Sequence, residues 1–344
     1  MQKKEVQKTI HENTSQKLDS RYLFGGILFS IVFTFIIWWT GQRLTSVPHL
    51  PDQGASWYFW KLPAPTIWGQ LTSWGFYFLH QVSLWYLIYY AQKRINQYTN
   101  GIHKVNLIAL GINAFFIFLH LIQTQIWYDG LAQDTPIWSS QGSVIIMLVW
   151  ILLMENKRRG MFWGKRIPIK DEIIRWARKY HGYVFAWAAI YTFWFHPMET
   201  TSGHLIGFLY MFLLLVEGSL FFTRIHTNRI WMVVLETMVL VHGTLVALMQ
   251  GNGIWPMFAF GFGGIFVITQ MHGLNLKNWF KGIILTIYVG LVLLVYSQRG
   301  WSQLNEIIRI PLIEYLAVLL LAGLIGSGLW VFRKTFPGQS VSPK

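Results

Sequence analysis

Ten apolar runs of roughly 16 to 25 residues fill most of this 344-residue chain, and each is long enough to cross a hydrocarbon core about 30 Å thick. They lie near residues 22–42, 68–92, 105–127, 139–155, 180–196, 201–223, 230–250, 255–272, 279–298 and 311–332. The runs are uniformly apolar and show none of the strict alternation of a barrel strand. In lipid the backbone must satisfy its own hydrogen bonds, so each run is expected to be a helix. Charged residues make up only 12% of the chain and hydrophobic ones 53%, which leaves little material for a soluble domain. The expected fold is all-α: a polytopic membrane bundle of about ten transmembrane helices in contact with the lipid bilayer.

Lys and Arg keep to the ends of the runs and the segments between them, and 24 of the 28 fall on one side of the inferred topology. Cytoplasmic loops carry the positive excess. Both termini are therefore expected in the cytoplasm, and the inner (plasma) membrane of a bacterial cell is the expected location. The net charge of +14 then reflects this asymmetry and does not call for a nucleic-acid partner. The chain divides into a cytoplasmic amino tail (1–21), a single bundle (22–333) and a cytoplasmic carboxyl tail (334–344). The first run follows a long polar tail and is expected to stay as an anchor. Within the bundle, the basic segment 156–179 includes an amphipathic stretch with Ile173, Ile174 and Trp176, and is expected on the inner membrane surface. The outer loop 43–67 carries Trp57, Tyr58, Phe59 and Trp60, which suit interfacial anchoring or, alternatively, a gate.

Zero cysteines exclude disulfides, thiolate nucleophiles, cysteine-ligated clusters and c-type haem attachment. The peripheral position of Lys and Arg argues against a retinal Schiff base, an arginine voltage sensor and an intramembrane phosphate clamp. No Walker loop, H-E-x-x-H motif or G-x-S-x-G elbow occurs. Histidines and a few carboxylates remain, and ionisable groups inside a membrane are functional candidates by default.

Helix direction and a rise of ~1.5 Å per residue sort them by depth. His120, His196, His204 and His242 fall in the outer half, with Glu199 between the fifth and sixth runs. His80 lies mid-depth. His181 and His272 sit toward the inner side, while His103 and His226 read as interfacial groups. Glu217 and Glu236 share a depth in the inner half, where they suit proton carriage, either sharing a proton or one of them pairing with a histidine.

Neutral imidazole ligates haem iron and copper. The leading expectation is a membrane redox protein that holds haem b, or alternatively copper, with His196 or His204 opposite His242, and His120 nearby. A second site would use His181 and His272. His181 and His196 lie 15 residues apart on one helix, ~22 Å along its axis. One histidine near each surface resembles, in kind, the two-haem transmembrane b-type cytochromes, an implication limited to the fifth to eighth runs. Electrons would then pass to or from a membrane quinone. Two alternatives stand beside it: a proton-coupled secondary transporter using Glu217, Glu236, His242 and His80, and a membrane enzyme acting on lipid or isoprenoid with a histidine base.

Overall fold

The computed structural model describes residues 20–54 and 58–336. Most of both expected cytoplasmic tails, and Trp57 of the outer loop, lie outside the described residues. Among the described residues there are ten α-helices and no strand, only two isolated bridges. They are α1 (Arg21–Thr40), α2 (Ile67–Arg94), α3 (Lys104–Trp127), α4 (Ile137–Arg159), α5 (Asp171–Phe195), α6 (Ser202–Ser219), α7 (Arg229–Met249), α8 (Trp255–Ile268), α9 (Asn278–Arg299) and α10 (Glu306–Thr335). Seven of the helical segments are long and apolar enough to cross a membrane: Arg21–Ser46, Lys104–Trp127, Ile137–Arg159, Ser202–Ser219, Arg229–Met249, Asn278–Arg299 and Trp301–Thr335.

Local chemistry sets several helix ends. Thr66 caps α2 by accepting from the Gly69 amide, and Thr201 caps α6 by accepting from the His204 amide, each relieving an orphan donor of the first turn. The Asn106 side chain accepts from the His103 amide at the start of α3, the reciprocal half of a capping box. Helix α5 starts at Asp171, so Ile173, Ile174 and Trp176 lie in its first two turns. Its acidic opening pair, Asp171 and Glu172, complements the helix dipole. Helix α8 has 14 residues, about 21 Å, and ends in a 3-10 turn at Gln270–Gly273.

The surface is inverted relative to that of a soluble protein. On α1, Phe24, Leu28, Ile31, Phe35 and Trp39 are exposed, and on α10 so are Leu316, Leu320 and Leu324. Apolar faces of this extent in water would aggregate; against acyl chains they cost nothing.

The chain forms two compact units. One comprises the described residues up to Ser143 with Phe185–Met232, and the other Val144–Val184 with the described residues from Val233 onward. In the first, Phe33 of α1 packs edge-on against Phe118 of α3 and Phe212 of α6, at 4.9 and 5.6 Å. Gly26 lets α1 close on α6: a Cβ there would lie 2.6 Å from Val216. In the second, α8 packs on α9 and α10. Gly261 faces Ile310, while Gly263 and Gly264 face Tyr288. Each of these glycines leaves room for a side chain of the facing helix.

Candidate functional site

The first unit gathers three of the outer histidines. His196 follows the last turn of α5, and its Nδ1 lies 2.9 Å from the Tyr58 hydroxyl. His204, in the first turn of α6, has Nδ1 2.8 Å from Thr201 Oγ1. The two imidazole rings stand nearly perpendicular, 5.2 Å apart. Trp60 packs edge-on against His204 at 4.4 Å. His120 of α3 is fully buried, with Nε2 2.8 Å from the His196 carbonyl and Nδ1 3.2 Å from Gln123 Oε1. Of the four histidines that the sequence assigns to the outer half, His196 and His204 bring their rings together, and His120 meets the His196 backbone carbonyl. Sequence reasoning did not single out Tyr58 or Trp60 as their neighbours. The aromatic run 57–60 was visible, but nothing local distinguishes an anchor in the interface from a ring folded inward onto a histidine.

An acidic and phenolic group lies alongside. The Tyr128 hydroxyl donates to Glu199 Oε1 and lies 2.8 Å from His49 Nε2. Burial, reinforced by Glu199, raises both the Tyr58 and Tyr128 hydroxyls well above the ordinary tyrosine range, so both stay neutral hydrogen-bonding groups. Asp129 is buried with one oxygen on the Gly130 amide and Oδ2 unpartnered among the described residues. Burial pushes its carboxyl up to about 7 because the charged form is poorly solvated there.

At mid-depth, His80 Nε2 meets Asn113 Oδ1 at 2.7 Å, and its Nδ1 accepts from the Trp194 indole at 3.3 Å. Both ring nitrogens of His80 are thus engaged in hydrogen bonds inside the first unit. Asn113 carries the connection on to Ser219 Oγ (2.8 Å), and Asn106 bonds the Ser219 carbonyl (2.8 Å). Toward the inner end, Glu217 pairs with His226, Nδ1 to Oε1 at 2.7 Å, and accepts from the Trp231 indole at 2.6 Å. Burial alone would lower the His226 imidazole; the facing Glu217 charge and its hydrogen bonds raise it instead. The anticipated partnership of an inner carboxylate with a histidine is thus realised by Glu217.

The remaining candidates lie in the second unit. His242 is half-buried on α7. His181 Nδ1 lies 2.6 Å from the Arg178 carbonyl. His272 packs edge-on to Trp163 at 6.1 Å with Nε2 unpartnered among the described residues; burial, then the nearby Lys281, holds its imidazole below the ordinary range. Glu236 meets Arg159, the last residue of α4: Nη1 donates to Oε1 at 3.0 Å and Nη2 lies 2.8 Å from Oε2, with both side chains at 2% exposure or less. Glu236 and Glu314 of α10 line one small cavity with Gln270 and Thr237.

Arg159 and Glu314 were both missed. Arg159 ends a Lys-Arg-Arg run that reads as solvated, so no local signal marks it. Glu314 had a usable signal, a lone acid in an apolar run, the same one that marks Glu217 and Glu236.

Among the described residues no three histidine or acidic side chains converge as a metal-ion site. No protein-family profile, curated protein or solved structure matches the chain. The fold and these sites define a multi-pass helical membrane protein with buried ionisable groups.

Proposed function

We propose that this protein is a proton-coupled secondary transporter. Its ten helices would all cross the inner membrane of a bacterial cell, with both termini cytoplasmic; the charge asymmetry of the loops supports that orientation. The observation carrying the functional reading is the wholly buried Arg159–Glu236 pair with a second carboxylate, Glu314, on the same cavity. A buried ion pair is a poor means of stabilising a fold, since desolvation offsets the Coulomb gain. Inside a membrane such groups mark ion and substrate pathways. Two carboxylates on one cavity, one of them holding a guanidinium, form a group that would bind or release a proton on a change of pairing, and that is the element a coupled transporter requires.

The test uses the full chain in proteoliposomes with a trapped pH indicator, challenged with amino acids, sugars, organic cations and organic anions. Solute-dependent acidification of the lumen, lost in Glu236→Gln, is the expected result. A panel without any proton movement would count against transport.

A second reading, electron transfer through haem b or copper at the outer histidines with a quinone as redox partner, draws support from the 5.2 Å approach of His196 and His204. His120 adds little to it, because both of its nitrogens already face oxygen atoms. An absorption spectrum and metal analysis of the purified protein decide it.

A further inference from the structure

The cavity of the second unit contains an unbalanced charge count. Of its two carboxylates, Glu236 is neutralised by Arg159. Glu314 is 3% exposed, and its carboxylate makes no hydrogen bond among the described residues. Ionised, it would place a bare negative charge among apolar walls such as Leu148 and Phe262, at a cost no neighbouring group offsets. The titratable groups around it are Glu236 on α7, whose carboxylate holds Arg159 of α4, and its own neighbour Tyr315, whose hydroxyl is engaged with Thr269; α8 contributes none.

We propose that this cavity binds one positive charge at Glu314, and that the charge is a proton and not a metal ion. A metal cation needs a shell of several oxygen ligands. Here the Glu236 carboxylate is committed to Arg159, and the Thr237 hydroxyl donates to backbone carbonyls of its own helix, at 2.9 Å from both Val233 and Val234. The Gln270 amide oxygen and the acceptor side of the Thr237 hydroxyl remain to supplement Glu314 in the cavity lining, too few for such a shell. The space holds about one water molecule, enough to relay a proton and too little for a hydrated cation. Glu314 is then the acid whose proton is exchanged when Arg159 shifts its pairing. The exchange role rests on the transport reading; the protonation itself does not.

Infrared difference spectroscopy of the purified full chain in H2O and D2O tests the assignment through the carboxylic-acid carbonyl band. The Asp129→Asn background is used, because Asp129 also holds a proton near neutrality. At neutral pH the band is expected in this background and lost in Glu314→Gln. It is also expected to vanish in Glu236→Gln, where Glu314 ionises to satisfy the stranded Arg159; a merely structural Glu314 would not respond in this way. Glu236→Gln keeps the test intact should Glu314→Gln fail to fold. A band unchanged by both substitutions overturns the proposal. So does a band that disappears when sodium replaces choline at constant ionic strength, which would make the ligand a metal cation. A band present with transport absent leaves the protonation standing; transport present with the band absent removes Glu314 as its proton site.

Discussion

Asn113 presents its amide oxygen to His80 Nε2 at 2.7 Å and its amide nitrogen to Ser219 Oγ at 2.8 Å. The nitrogen end must donate, so the oxygen end accepts, and His80 carries its proton on Nε2. Its Nδ1 lone pair then receives the Trp194 indole. One asparagine thus fixes the tautomer of a buried histidine and ties α2, α3 and α6 together.

Removing that asparagine leaves the His80 donor unmatched in an apolar setting. Asn113→Leu is expected to destabilise the first unit by about 1–3 kcal/mol, more than the net value of the bond itself, because the orphaned group loses its partner without regaining water. Unfolding of the detergent-solubilised protein in a denaturant series measures this, and a shift within error of zero would show that His80 finds another partner.

The Arg159–Glu236 pair gives an asymmetric expectation. Arg159→Met strands Glu236 and should cost about 3–5 kcal/mol, whereas the double change Arg159→Met with Glu236→Leu should cost markedly less. A double-mutant cycle in the same denaturant assay checks the difference; equal losses in the single and double variants would contradict the buried-pair account.

Asp129 sets a pH dependence of stability. Its folded value, about 7, lies above the ordinary 3.8. Between those limits the folded state holds a proton that the unfolded chain has released, so stability falls as pH rises from about 4 to about 7. A shift of this size bounds the effect at about 4 kcal/mol. Asp129→Asn, neutral throughout, is expected to flatten that slope and to be the more stable protein above pH 7. Melting temperatures across this range decide it.

His226 contributes over a higher window. Its imidazole is raised above 6.5 by Glu217, so the stabilisation is fully present below 6.5 and is lost as pH rises through the folded value. In Glu217→Gln the partner charge is gone, and the decline in melting temperature over that window should disappear.

The absence of cysteine makes topology directly measurable. Single cysteines at Asp52, Asn252 and Thr227 introduce the only thiol in each variant. In intact cells a membrane-impermeant maleimide is expected to label the first two and to spare Thr227→Cys. Labelling of Thr227→Cys instead would invert the orientation read from Lys and Arg.

The amino-acid order alone determined the helices and their apolar lengths, because hydropathy and the backbone's need for internal hydrogen bonds are local and one-dimensional. It also marked the polar groups within or at the ends of the apolar runs, His120, His196, His204 and His242 among them. Tertiary structure decided every partner. Successive side chains on a helix are turned by about 100°, so depth says nothing about which neighbour a ring or carboxylate will face. Packing directed His80 to Asn113, Glu217 to His226, and Arg159 to Glu236. It also left Glu314 beside them without a counter-charge.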